Sequence, residues 1–250
     1  LAASHTYADD GAYTVKVKIV DDDGGVGTAT ATVNVANVAP TLTIAGASTV
    51  DEGGLYTLSL ASADPGTDTI TGWTIDWGDG HIENVAGNPS DATHTYADGA
   101  ANHTLSATAA DEDGTLAAPS TVDVAVANVA PTLVISGAST TDEGAIYTLR
   151  LSSSDPGVDA ITGWTINWGD GLIENIIGNP ADATHTYADG NVGSNYTILA
   201  SATDEDGTFA ANSLAVAVLN VDPTADAGGP YLTFDDTSIT LTGSGADAAG

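Results

Sequence analysis

The sequence predicts an all-β chain of tandem antiparallel sandwiches. Three observations carry that expectation: a long internal repeat, apolar residues that alternate rather than recur at helical spacing, and turn-forming residues between the alternating runs. Asn37-Val38-Ala39-Pro40-Thr41 returns as Asn128-Val129-Ala130-Pro131-Thr132, and again, slightly altered, as Asn220-Val221-Asp222-Pro223-Thr224, at a spacing of about ninety residues. Residues 37–99 and 128–190 align without a gap and are about three quarters identical. The chain is therefore expected to hold two full units, 37–127 and 128–219. Residues 1–36 read as the C-terminal part of a preceding unit, because His5-Thr6-Tyr7 matches His94-Thr95-Tyr96 and His185-Thr186-Tyr187. Residues 220–250 read as the N-terminal part of a following one.

Each element has its own signal. In the head, Tyr13, Val15, Val17 and Ile19 fall on one face of a strand, and Ala31, Val33 and Val35 on one face of the next. In the first full unit the stripes are Tyr56, Leu58 and Leu60, then Trp73, Ile75 and Trp77, then Val122, Val124 and Val126; Leu214, Val216 and Val218 close the second unit. Alternation of this kind puts every second side chain on one face of a half-buried strand. Breakers separate the runs at Asp51-Glu52-Gly53, Asp64-Pro65-Gly66, Gly78-Asp79-Gly80, Asp98-Gly99 and Asp111-Glu112-Asp113-Gly114. About seven short strands in each unit read as an immunoglobulin-like antiparallel β-sandwich.

The linked motifs resemble a known family. Trp73-Thr74-Ile75-Asp76-Trp77-Gly78-Asp79-Gly80, then Thr93-His94-Thr95-Tyr96, then a strand ending in Asp111-Glu112-Asp113-Gly114, is similar to the PKD (polycystic kidney disease) repeat domain. The head carries His5-Thr6-Tyr7 followed by Gly11-Ala12-Tyr13-Thr14-Val15, and Pro223 to Tyr231 resembles an opening of the same domain. The chain departs from the pattern in two places: Ile75-Asp76-Trp77 stands where the family usually has Trp-Asp-Phe, and His103 where the head has Tyr13. The resemblance implies tandem PKD-type sandwiches of a large secreted or cell-surface protein of bacteria or archaea.

Charge excludes whole classes of function. Among 250 residues, Lys+Arg 3 stand against Asp+Glu 34, a net charge of −31, although charged residues are only 15% of the chain. The anomaly is the shortage of bases. Such a surface repels phosphate backbones and anionic lipid, so neither nucleic acid nor membrane is an expected partner. No apolar run reaches the roughly 18 residues of a membrane span, and residues 1–20 do not read as a signal peptide. Without Met at position 1, the chain reads as a window from something longer. Cys 0 excludes disulfides, zinc–thiolate sites and cysteine nucleophiles. Lys occurs only at Lys16 and Lys18, so no lysine-dependent cross-link can recur along the units. Stiffness has to come from packing or bound ions.

No catalytic constellation emerges, and the chain is expected not to be an enzyme. Asp76 and Asp79 could pair for acid–base work, but the sister unit has Asn167 in place of Asp76. Gly78-Asp79-Gly80 reads as a tight turn. The Tyr of each His-Thr-Tyr is expected to bond nearby backbone at a corner, with the His packed beside it. Trp73, Trp77, Trp164 and Trp168 share the parity of Ile75 and Ile166, which points to the core rather than to a sugar platform. Asn102-His103-Thr104 and Asn195-Tyr196-Thr197 are glycosylation sequons at matching places.

The acids recur by position. Asp64, Asp155 and Asp247 occupy one offset in their units, and Asp68 and Asp159 another; the clusters Asp21-Asp22-Asp23, Asp111-Glu112-Asp113 and Asp204-Glu205-Asp206 precede the last strand. In such a sandwich the loops after the second and sixth strands share a pole with the start of the first. Asn37, Asp64, Asp68, Asp111 and Asp113 should converge there, as should Asn128, Asp155, Asp159, Asp204 and Asp206. Ca²⁺ takes 6–8 oxygen ligands of these types, and resemblance to calcium-binding PKD members implies the same ion. Asp51, Glu52, Asp142 and Glu143 lie at the opposite pole, where they could bridge to a neighbouring unit. The expected role is an extracellular or cell-surface repeat array, a stalk, spacer, filament or adhesive rod, stiffened by calcium between modules. Its partners would be neighbouring units of the same or like chains, with polysaccharide or another surface protein beyond them. The rival is a carbohydrate- or protein-binding accessory module of a secreted hydrolase.

Overall fold

Alternation becomes paired sheets in the computed structural model of the chain, which describes residues 3–190 and 194–247. Among these residues there are strands and turns but no helix. The chain divides into two compact units, one ending at Asn128 and the other beginning at Val129.

The first unit opens with a hairpin of β1 (Gly11–Val20) and β2 (Val26–Val35), in register with Tyr13 opposite Val33. A sandwich follows, built from β3 (Thr41–Gly46), β4 (Thr49–Asp51), β5 (Leu55–Ala63), β6 (Gly72–Asp76), β7 (Ile82–Ala86), β8 (Asp91–Thr95), β9 (Ala101–Ala110), β10 (Thr115–Ala117) and β11 (Val122–Ala127). One sheet runs β3-β5-β8; the other runs β4-β11-β9-β6-β7, with β10 also on β9. The second unit repeats this with β12 (Thr132–Ser136), β13 (Thr140–Asp142), β14 (Ile146–Ser154), β15 (Gly163–Asn167), β16 (Ile173–Ile177), β17 (Asp182–Thr186), β18 (Tyr196–Thr203), β19 (Thr208–Ala210) and β20 (Leu214–Leu219). It ends in a short pair, β21 (Thr224–Asp226) and β22 (Ser244–Ala246).

The sandwiches are immunoglobulin-like, with two differences from the expectation. Each has nine strands rather than about seven, because three-residue segments such as β4 and β10 are too short to register as alternation. The pairing is also not wholly antiparallel. β4 runs parallel to β11, with Val50 opposite Val126, and β13 runs parallel to β20. The leading strand of each sandwich thus starts in one sheet and finishes in the other.

In the two sandwiches the alternating stripes form the core; in the head hairpin Val15, Val17 and Ile19 stay exposed, because no second sheet covers that face among the described residues. Tyr56, Leu58, Leu60, Trp73, Ile75, Trp77, Val124 and Val126 are buried in the first sandwich, and Tyr147, Leu149, Leu151, Trp164, Ile166, Trp168 and Val216 in the second. A buried indole needs an acceptor for its N–H. Trp73 and Trp77 donate to Asn88 (3.0 Å) and Glu83 (3.1 Å), and Trp164 and Trp168 to Asn179 and Glu174. No Trp ring is left for a flat ligand.

The two sheets are fastened where β6 ends. The Tyr96 hydroxyl donates to the Trp77 carbonyl at 3.0 Å, and Tyr187 does the same to Trp168 at 3.1 Å. The acceptor is not the adjacent corner backbone but a residue 19 positions upstream. Burial pushes both phenols up from their ordinary range, so they remain donors. His94 stacks on Trp77 (centroids 4.8 Å), stands edge-on to Tyr96, and places Nε2 at 2.7 Å from Asp79 Oδ2. Asp79 Oδ1 accepts the His81 N–H, so Asp79 both shapes its turn and pins the histidine. Gly78 has φ 81°, and a Cβ there would stand 2.7 Å from the Thr104 carbonyl, so the turn admits no side chain at this position.

Tyr96→Phe leaves the buried Trp77 carbonyl without its donor and should cost about 1–3 kcal/mol. Urea unfolding of the chain is the check, with unchanged stability contradicting the assignment.

Candidate cation site

Short acidic turns build the first pole. After β5, Asp64 turns the chain by accepting the Gly66 N–H on Oδ1. After β9, Asp111 Oδ1 accepts two N–H groups, from Asp113 (3.0 Å) and Gly114 (2.9 Å). Each aspartate spends one oxygen on its own turn. The other, Asp64 Oδ2 or Asp111 Oδ2, is buried with no hydrogen-bond partner. Asp111 is 9% exposed, so this orphan oxygen sits in an environment where an unpaired charge is costly.

The loops meet as their positions predict. Asn37 Nδ2 donates to Asp113 Oδ2 at 2.8 Å, and Glu112 Oε2 accepts the Thr69 N–H across the two loops. Asp68 is close enough to Asp113 for a side-chain hydrogen bond and feels the charge of Asp64. Asn37, Asp64, Asp68, Asp111 and Asp113 therefore gather at one end of the first sandwich.

Two residues missing from the sequence reading complete the cluster. Asp9 and Asp10, in the loop after His5-Thr6-Tyr7, have carboxylate oxygens within 4.8 Å of each other and of Asp68. Asp68 is hydrogen-bonded to Asp9, and the charge of Asp10 acts on Asp113. The Tyr13 hydroxyl holds this loop through the Asp9 and Asp10 carbonyls. Asp9, Asp10, Asn37, Asp64 and Asp68 line a cleft of about 160 Å³. The equivalent loop of the first sandwich is Asp98-Gly99.

The electrostatics match the crowding. Burial, the neighbouring Asp64 carboxylate and the contacts with Asp9 and Asp113 push Asp68 from its ordinary 3.8 up to about 6. Burial and then the charges of Asp10, Asp111 and Glu112 push Asp113 up, against the opposing effect of its bond to Asp68. No base relieves them. Among the described residues the ion pairs are His94–Asp79, His185–Asp170 and Arg150–Asp182. Carboxylates at hydrogen-bond distance must share a proton or a cation. A hard divalent ion fits this all-oxygen set.

In the second unit Asp155 Oδ1 accepts the Gly157 N–H, and Asp204 Oδ1 accepts those of Asp206 and Gly207. Asp155 Oδ2 and Asp204 Oδ2 are again buried without a hydrogen-bond partner, and Asp204 is 6% exposed. Asp155 and Asp159 line one cleft beside Pro131. At the other ends of the sandwiches, Asp51 and Asp142 are exposed, whereas Glu52 and Glu143 are buried. Glu52 Oε2 accepts the Gly99 N–H at 2.6 Å, and Glu143 Oε1 the Val221 N–H at 2.8 Å. Both glutamates brace loops of their own unit.

The chain is similar to the PKD domain of an M14-like peptidase from a Thermoplasmatales archaeon, with 26% identity, 37% of this chain and 99% of that chain covered, and a TM-score of 0.31. It is also similar to a tetra-tandem repeat in the extending region of a large adhesion protein, with 20% identity and a TM-score of 0.39. That match covers 94% of this chain, which spans 63% of the other. No protein-family model matches the chain, and neither does any curated protein.

Two pH windows follow. Asp68 holds its proton more tightly folded than unfolded, so without divalent ions the first unit gains stability as pH falls from about 6 towards 4. Asp79 behaves oppositely. Burial would raise it, but the His81 N–H and His94 outweigh that and hold it below 3.8. Its contribution is therefore present at neutral pH and lost as pH falls below the ordinary carboxylate range. Melting in chelator should rise from pH 7 to 5 and drop again below about 4. A monotonic fall from pH 7 would contradict the Asp68 assignment.

Proposed function

We propose that this chain is part of an extracellular, non-catalytic repeat array, a stalk, spacer, filament or adhesive rod, whose modules are stiffened by calcium at their acidic poles. The observation that carries the reading is the pair of buried, unpartnered carboxylate oxygens at one pole of each sandwich, Asp64 with Asp111 and Asp155 with Asp204. In the first unit Asp9 and Asp10 add oxygens from the preceding loop, so a single ion there would tie the head to the sandwich. The ligands for it would come from Asp9, Asp10, Asp64, Asp68, Asp111 and Asp113. Ca²⁺ suits a site of several carboxylates on turns, and affinities on the order of 10⁻⁴ to 10⁻³ M are usual for extracellular modules. The rival reading is a carbohydrate- or protein-binding accessory module of a secreted hydrolase; all four indoles are buried, which removes Trp stacking from its carbohydrate form.

Calorimetric titration of the chain with calcium should give saturable heat at millimolar ion. Asp111→Asn keeps the Oδ1 acceptor of the turn and removes the charge, so it should abolish the first unit's share while leaving the fold intact. Asp204→Asn should do the same in the second unit. Small-angle scattering should show a longer, less variable particle with calcium than with chelator. Absence of saturable heat, or identical scattering in both conditions, removes the proposal.

A further inference from the structure

One edge of the second sandwich carries an exposed apolar row. β16 is the outer strand of its sheet, paired to β15 on one side only. It reads Ile173-Glu174-Asn175-Ile176-Ile177, preceded by Leu172. Ile173 is 62% exposed, Ile177 95% and Leu172 59%. Ile177 lies opposite Gly163, which offers no side chain to cover it. Edge strands are usually guarded by charged side chains, Pro or a bulge; β16 has no Lys, Pro or bulge, and its single charge lies off the outward face. Its one acid, Glu174, is opposite Ile166 on the inward-pointing side of the strand; it is exposed, and its carboxylate accepts the Trp168 indole N–H at 3.2 Å.

The backbone of this edge is also ordered for pairing. The Leu172 carbonyl accepts the Trp168 N–H, and the Gly178 N–H donates to the Thr162 carbonyl, so these residues spend their main-chain groups on the sheet side. Alternation then directs the N–H and C=O of Ile173, Asn175 and Ile177 to the free edge. The same three residues share the outward face, since Asn175 lies opposite Thr165 and accepts its hydroxyl.

We propose that β16 is a self-association edge, at which two copies of this chain pair their β16 strands antiparallel about Asn175 and join their sheets. In that register Ile173 of one copy faces Ile177 of the other, Asn175 faces Asn175, and the residues with outward main-chain groups lie opposite one another as hydrogen-bonded pairs. Both Ile–Ile contacts are removed from water on the same face, and no like charges meet there. The sequence of the edge is thus complementary to itself. Five residues from each copy make a contact well below the roughly 1,200 Å² of a stable interface, so the dimer is weak and reversible. Its main opponent is the net charge of −31 on each copy, which salt screens.

The first sandwich supplies an internal control. Its edge β7 has Ile82 and Asn84 in the same places, but Ala86 where β16 has Ile177 and His81 where the second unit has Leu172. Half of its apolar row is missing, so β7 should not pair.

Sedimentation of the full chain in chelator tests the inference apart from any role of calcium. A monomer–dimer equilibrium is expected, with the dimer fraction rising with protein concentration and between about 0.1 and 1 M salt. Ile177→Lys changes a residue that is almost wholly exposed, so its melting should match the parent while association falls at least tenfold. Ala86→Ile should add a second pairing edge and give species larger than a dimer. A parent chain that stays monomeric at millimolar concentration and high salt overturns the proposal, including the case in which another protein's strand occupies the edge. A dimer that Ile177→Lys leaves unchanged overturns it equally.

Discussion

Nearly every carboxylate in this chain has to be answered by something other than lysine or arginine, and that constraint organises the molecule. Turn backbone supplies most of the answers: N–H groups cap Asp21, Asp64, Asp76, Asp79, Asp111, Asp155, Asp170 and Asp204, usually two to four residues from the aspartate itself. Histidine answers Asp79 and Asp170 a second time. The acids that brace turns also leave the sheets free for Thr, Ser and Ala on their outer faces. What remains is geometry: a carboxylate has two oxygens, and a turn caps only one of them. Where two such turns and a third loop meet at a pole, the second oxygens of Asp64 and Asp111 are left buried without a hydrogen-bond partner.

The core was the easiest part to read from sequence. Period-two alternation at Tyr56-Leu58-Leu60 or Trp73-Ile75-Trp77 has one physical meaning, a strand with one buried face, and the structure buries those residues. The convergence of Asn37, Asp68 and Asp113 was also legible, because sandwich topology alone puts their loops at one end. The parallel pairing of β4 with β11 was not. It depends on where the leading strand crosses between sheets, and three residues carry no periodic signature of that crossing. Asp9 and Asp10 were not legible, because nothing local to an Asp-Gly step reports what lies across from it. The Asp79–His94 contact escaped for the same reason, although the spacing of these two residues recurs unchanged in Asp170 and His185.

The two sandwiches differ mainly where the core does not constrain them. His81 stacks on His94 (5.3 Å) and His103 on Tyr96 (4.8 Å) in the first, whereas Leu172 and Tyr196 hold those places in the second, with Tyr196 stacked on Tyr187. The same face of the fold therefore carries a polar aromatic ladder in one module and an apolar rim in the other. The buried pattern of tryptophan, tyrosine and the pinned histidine is identical in both. Duplication with a fixed interior leaves the edges as the place where neighbouring modules acquire separate surface chemistry.

The crossing of the leading strand has a mechanical consequence. Because β4 lies parallel to β11, tension applied to the two ends of the sandwich draws these neighbours past each other along their length. The slanted hydrogen bonds between them, and the β3–β5 ladder behind, are then loaded together in shear rather than peeled one at a time. A bead joined in this way resists being stretched open more strongly than its modest number of contacts at β4 suggests.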